Sequence, residues 1–130
     1  MKLSISQVAT KTGLSIKSIR HYESIGLIAP PPRDKNDYRF YPEEMTKKLH
    51  FIHKAKQAGF NLKECKALLE LFENQQRSSA DVKKIALKKI QEIELRIQQQ
   101  QAIVHQLTKI TERCPGDDQA KCSIIDAFSE

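Results

Sequence analysis

Long apolar runs are missing from this chain of 130 residues. No stretch approaches the roughly 20 apolar residues that a membrane-spanning helix needs. The opening Met1-Lys2-Leu3-Ser4-Ile5-Ser6-Gln7 is too polar for a signal peptide. The expectation is a cytoplasmic protein with no membrane partner. Cysteine is scarce: there are three, an odd number, at positions 65, 114 and 122. That does not suggest a secreted disulfide framework, and a reducing cytosol would hold them as free thiols open to metal or redox chemistry. A Gly-rich phosphate loop, a Ser-His-Asp set and a paired-carboxylate pocket are also missing. An enzyme reading therefore has no residues to rest on.

What the chain does have is unevenly placed charge. Residues 1–60 carry eleven Lys and Arg against five Asp and Glu; residues 61–113 carry ten against seven; residues 114–130 carry one against four. The formal net charge is +6. A basic front half suits a polyanion, whose phosphates release counterions when neutralised. Charge alone does not separate that reading from a merely solvated basic surface.

Local signals give the order of elements. Ser4 and Gln7 have capping-box spacing, and Gly13 suits a left-handed helix end. Ser15 caps a second helix reaching about Ser24, so the pair reads as a helix-turn-helix. Gly26 closes it. Leu27-Ile28 as a short strand, an extended Pro30-Pro31-Pro32, a polar tip over 33–37 and a strand over Tyr38-Arg39-Phe40-Tyr41 predict a β-hairpin wing. Pro42 opens the next helix, with Leu49, Ile52 and Ala55 inward, and Gly59 stops it. Asn61-Leu62-Lys63-Glu64 is a second capping box, before a helix with Leu68, Leu69 and Phe72 inward.

A long helix is predicted from about Ala80 to Thr111, capped by Ser78 or Ser79. At 1.5 Å per residue its roughly 32 residues span about 48 Å. Ala86, Ile90, Ile93, Ile97, Val104 and Leu107 fall on alternating four- and three-residue steps, with Gln100 filling the one gap. That is a coiled-coil seam. No second long helix exists in the chain to cover it, which favours a homodimer over intramolecular packing. A turn-rich loop from Cys114 to Cys122 follows, then a short helix carrying Ile125 and Phe128.

Two constellations carry chemistry. The second helix presents Lys17, Ser18, Arg20, His21 and Tyr22, and the wing adds Arg33, Lys35, Tyr38 and Arg39. Such a helix can reach base edges while Arg and Lys grip phosphate. The second constellation is Cys114 and Cys122, which flank a seven-residue loop holding no further Cys or His. Two thiolates suit a soft ion content with two ligands, and thiolate selects Cu(I), whereas structural zinc wants four donors. A redox-sensing disulfide is an equal reading of the spacing alone. His50 and His53 stand three apart without a third ligand and read as exposed polar or DNA-backbone positions. Cys65 reads as a small half-buried residue, and His105 as a surface or seam-edge residue.

Ser6-Gln7-Val8-Ala9, Gly13-Leu14-Ser15, Ile19-Arg20-His21-Tyr22-Glu23, Gly26-Leu27-Ile28, Tyr38-Arg39-Phe40-Tyr41 and Gly59-Phe60-Asn61-Leu62 together resemble the MerR family of regulators. The tail, opening Cys114-Pro115-Gly116-Asp117-Asp118 with its second cysteine at 122, is similar to the copper-efflux branch of that family. The superoxide-sensing branch has four clustered cysteines, which this chain lacks, and the zinc-sensing branch has a Cys where this chain has Ser79. The resemblance implies linear Cu(I) coordination by Cys114 and Cys122, with Ag(I) and Au(I) as substitutes. It also implies a homodimer on double-stranded promoter DNA that distorts the spacer so that RNA polymerase engages at copper-efflux genes.

The expected fold is mainly α: a winged helix-turn-helix DNA-binding head over 1–76, a long antiparallel coiled-coil dimerisation helix over 77–112, and a C-terminal metal-binding loop with a short helix over 113–130. Selectivity is expected to involve Ser79 and Lys83. A monovalent ion on two thiolates leaves one net negative charge, which the positive start of the partner's long helix and Lys83 would favour. The Ser79 hydroxyl is a poor third ligand for a divalent ion. The rival readings are a thiol redox regulator using a Cys114–Cys122 disulfide, and an architectural DNA-binding protein with no ligand.

Overall fold

Capping chemistry decides where the first helices begin. In the computed structural model, which describes residues 2–130, helix α1 spans Ile5–Thr12. The Gln7 amide donates to Ser4 Oγ at 3.2 Å, and the Ser4 amide donates back to Gln7 Oε1 at 2.8 Å. Gly13 ends the helix at φ 83°, and a Cβ there would lie 3.1 Å from His53 Nε2. The left-handed backbone favours glycine at this turn, and a Cβ would also press on the imidazole. Helix α2, Ile16–Ser24, starts where Ser15 Oγ accepts the Ser18 amide at 3.0 Å.

Helix α3 covers Glu43–Gln57, with Pro42 at its N-cap rather than inside its first turn. Helix α4, Leu62–Glu73, has the second capping box complete, both bonds at 2.8 Å. Helix α1 packs on α2 and α3, and α3 packs on α4. Val8, Ile19, Tyr41, Leu49 and Ile52 are fully enclosed between them. A 3.2 Å ion pair between Lys48 and Glu73 joins α3 to α4.

The wing departs from the expected hairpin. Leu27-Ile28 forms no strand; Ile28 is instead a core residue. The segment over 38–41 contributes only isolated bridges, Arg33 with Arg39 and Leu3 with Tyr41. Three consecutive prolines remove the amides a longer ladder needs. Turn chemistry holds the wing instead: Asp34 Oδ1 accepts the amides of Asn36 at 2.9 Å and Tyr38 at 3.0 Å, and Asp37 turns the chain at φ 67°. Asn and Asp tolerate that left-handed conformation better than most residues.

The chain divides into two compact units, residues 1–85 and 86–130. The first extends past the expected head boundary at residue 76 because Ile85, on helix α5, packs against Ala55, Cys65 and Leu68. Helix α5 spans Ser79–Arg113, 35 residues. At 1.5 Å per residue it is about 52 Å long. In the second unit the expected seam is uncovered by the single chain: Ile90, Ile97 and Val104 are 49%, 52% and 61% exposed. Helix α6, Ser123–Ser129, returns beside the end of α5, where Ser123 Oγ donates to the Ile110 carbonyl at 2.8 Å. Among the described residues no helix is long and apolar enough to cross a membrane.

Candidate metal centre and nucleic-acid interface

Helix α2 has one inward and one outward face. Ile19 and Tyr22, three apart, point into the core, while Lys17, Arg20 and His21 are exposed and Ser18 is half-buried. Of the expected DNA contacts Tyr22 is the buried one: the residue is 6% exposed, and burial pushes its phenol above the usual value of 10.0. Helical spacing decides this, since residues at i and i+3 share a face.

On the wing, Arg33, Lys35, Tyr38 and Arg39 are all exposed, Tyr38 at 71%. Two of the cations are already engaged. Arg33 donates to the Asp37 carbonyl at 2.9 Å and sits 3.7 Å from its carboxylate. Arg39 Nη1 lies 3.7 Å from Glu23 Oε1 on α2. Glu23 is the residue that sequence reasoning missed. The signal available to find it is that Glu23 is the one acid of helix α2, beside Lys17, Arg20 and His21.

The cysteine pair is built by the end of α5, the loop and the start of α6. Gly116, at φ 65°, lets the chain reverse, and Asp117 Oδ1 accepts the Gln119 amide at 2.9 Å. The Ser123–Ile110 bond closes the loop next to Cys122. Cys114 Sγ and Cys122 Sγ end 3.5 Å apart. A disulfide is about 2.03–2.05 Å long, so these are two separate thiols, both half-buried and free.

Cys122 occupies the N-cap of α6, although the structure shows no side-chain capping bond there. The Ile125 amide, then the Cys114 thiol, then the Ile124 amide pull its thiol below the usual value of 9.0; slight burial and Asp126 oppose them. Amide dipoles at a helix start favour the thiolate, which is the metal ligand and the nucleophile.

Cys65 contrasts with this pair. It is fully buried, its Sγ reaches the Phe60 carbonyl only at 3.9 Å, and burial pushes its thiol up. His53 packs at Gly13, and His50 lines a groove with Lys11 and Phe51. Among the described residues no three His, Cys, Asp or Glu side chains gather into a group that could hold an ion. The donor set at 114 and 122 is thus two soft sulfurs, which suits a soft ion and not a hard one. Ser79 and Lys83 are both exposed in the first turns of α5.

A family model described as "MerR HTH family regulatory protein" matches residues 3–71, and one described as "MerR, DNA binding" matches residues 46–110. The HTH-type transcriptional regulator CueR of Salmonella typhimurium is 49% identical over 127 residues, covering 98% of this chain and 92% of that protein. The dual function regulator MerR of Bacillus megaterium MB1, solved with a mercury(II) ion, is 28% identical with a TM-score of 0.70, covering 94% of this chain and 95% of that one. The regulator PbrR691 of Ralstonia metallidurans CH34, solved with lead(II), shares the fold with a TM-score of 0.79 at 22% identity, covering 97% of this chain and 98% of that one.

Proposed function

This chain belongs to the MerR family of helix-turn-helix transcriptional regulators, and we propose that it is a cytoplasmic Cu(I) sensor, with Ag(I) and Au(I) as substitutes. In this reading an antiparallel homodimer binds double-stranded promoter DNA. Metal at Cys114 and Cys122 biases the two heads towards a state that distorts the promoter, so that RNA polymerase engages at copper-efflux genes. The observation that carries it is the pair of free thiols, Cys114 just after α5 and Cys122 at the N-cap of α6, with their sulfurs 3.5 Å apart. The CueR name of the Salmonella relative supports the choice of copper.

The test is transcription in vitro from the cognate promoter, under strict reduction, at buffered free metal. Output that rises with Cu(I) and Ag(I) but not with Zn(II) supports the reading; output indifferent to every metal contradicts it. The lowered Cys122 thiol also favours the redox alternative, a Cys114–Cys122 disulfide. That alternative responds to a thiol oxidant and is silent to Cu(I) under reduction.

DNA contact is assigned to the exposed faces of α2 and the wing. Arg20→Ala is expected to weaken operator binding by about 1–3 kcal/mol if it reads a base, or to lower the salt slope by about one if it holds a phosphate. Fluorescence anisotropy at several salt concentrations measures both. Unchanged affinity and slope would remove Arg20 from the interface.

Selectivity is assigned to Ser79 and Lys83, which an antiparallel dimer brings beside the partner's cysteine loop. Ser79→Cys is expected to add a soft donor and admit some response to Zn(II) or Cd(II). Lys83→Glu is expected to weaken the Cu(I) response by placing like charge near an anionic complex. Promoter output at buffered free metal reads both, and a wild-type protein that answers equally to Zn(II) would sink the charge argument.

A further inference from the structure

We propose that Glu23 is a positioning residue for DNA recognition: it holds the Arg39 guanidinium, and with it the wing, in register with helix α2. The inference rests on the reading of α2 and the wing as the DNA-binding face.

A carboxylate has an unfavourable place on such a face, because it repels phosphate. Its side chain is nevertheless held in, 15% exposed, while Arg39 is 50% exposed and reaches outward from it. Glu23 Oε1 meets Arg39 Nη1 at 3.7 Å, and Glu23 Oε2 is buried with no hydrogen-bond partner. The hydroxyl of Tyr41 is likewise buried and unpartnered. The two share one electrostatic neighbourhood. Burial first, and then the charge of Glu23, push the Tyr41 phenol up, while Arg39 and Arg20 pull it down. An acid from α2, a phenol from the segment before α3, and one guanidinium from each of α2 and the wing thus act on one another.

Arginine offers five N–H donors in a rigid planar fork. An arginine held along one edge by a carboxylate keeps its other donors for phosphate, in an orientation set by the protein. The distance of 3.7 Å is longer than the 2.7–2.9 Å of a closed charge-assisted bond. A contact at that distance leaves the other donors of the Arg39 fork free for a phosphate on its outer edge.

Simple electrostatics and positioning predict opposite signs for Glu23→Gln. Removing a negative charge should tighten binding to every duplex. Losing a positioning contact should loosen binding to the correct duplex alone. The probes are a duplex selected by the wild-type protein from a random pool and a mixed-sequence duplex. Affinity and salt slope are measured for wild type, Glu23→Gln, Arg39→Ala and the double variant.

The expected result is a loss of about fivefold to tenfold on the selected duplex for Glu23→Gln, none on the mixed duplex, and no further loss in the Arg39→Ala background. Arg39→Lys, which keeps the charge and loses the fork, should reproduce that loss with an unchanged salt slope. Glu23→Gln binding the selected duplex as well as wild type overturns the proposal, and so does an equal loss with and without Arg39. If Glu23→Gln does not fold, wild-type affinity in Arg39→Lys overturns it instead. An unchanged affinity and slope in Arg39→Ala would overturn the DNA-face reading itself, a result distinct from the others.

Discussion

Cys122→Ser is expected to abolish transcriptional activation by Cu(I) while metal-free binding to the same promoter stays within about twofold of wild type, a change near 0.4 kcal/mol. The two halves of this result have different causes. Serine replaces a soft anion with a hard neutral hydroxyl, and two-sulfur coordination is lost outright. The fold has no reason to suffer. Position 122 is the N-cap of α6, and serine is among the preferred residues there. The side chains assigned to DNA contact, on α2 and the wing, belong to the other compact unit, residues 1–85. Cys65→Ser is the control and should retain the response, because that thiol is buried and raised rather than poised. Transcription assays with promoter footprinting report both halves. A Cys122→Ser protein that still answers to Cu(I), beside a Cys65→Ser protein that does not, would reassign the ligands.

Ile97→Lys should convert the dimer to monomer across the micromolar range. In one chain Ile97 is 52% exposed and lines a hollow with Ile93, Gln100 and Val104. Nothing in the single chain is lost when it changes, so the head should melt within the usual ±0.5 kcal/mol of a surface substitution. In the proposed dimer seam the same position would be buried. An unpaired buried charge costs roughly 3–5 kcal/mol, and a two-fold interface repeats the substitution. At 1.4 kcal/mol per decade, a loss of at least about a hundredfold in dimer affinity follows from one copy alone. Operator binding weakens in step because the second half-site contact goes with the partner. Sedimentation equilibrium measures the first effect. A full dimer at micromolar concentration for both Ile97→Lys and Ile93→Lys would refute the seam.

The parts of the fold that local chemistry dictates were legible from the residues. Ser4 with Gln7 and Asn61 with Glu64 each close a capping box, and Gly13 ends α1 left-handed. The spacing of Ile90, Ile97 and Val104 marked a face that the single chain leaves open. The burial of Tyr22 follows from its position three residues after Ile19, on the inward face of α2. The wing strands were over-read because Tyr38 to Tyr41 have strand composition; the three prolines opposite leave few amides for a ladder.

The Glu23–Arg39 pair depends on how the wing folds back on α2, and no local pattern encodes that distance. At the cysteine loop the spacing of residues 114 and 122 marks the pair, and both the metal and the redox reading fit it. The separation of 3.5 Å between free sulfurs, and the amides of Ile125 and Ile124 acting on Cys122, belong to the folded loop.

The central claim is that Cys114 and Cys122 alone bind a soft monovalent ion. X-ray absorption on the reduced protein loaded with Cu(I) tests it most directly, with the metal content of the same sample measured in parallel. The account predicts a single copper per chain, in the cuprous state, with a first shell of two sulfurs and no nitrogen or oxygen. A shell of three or four ligands, or a sulfur shell that persists in Cys114→Ser, would contradict it.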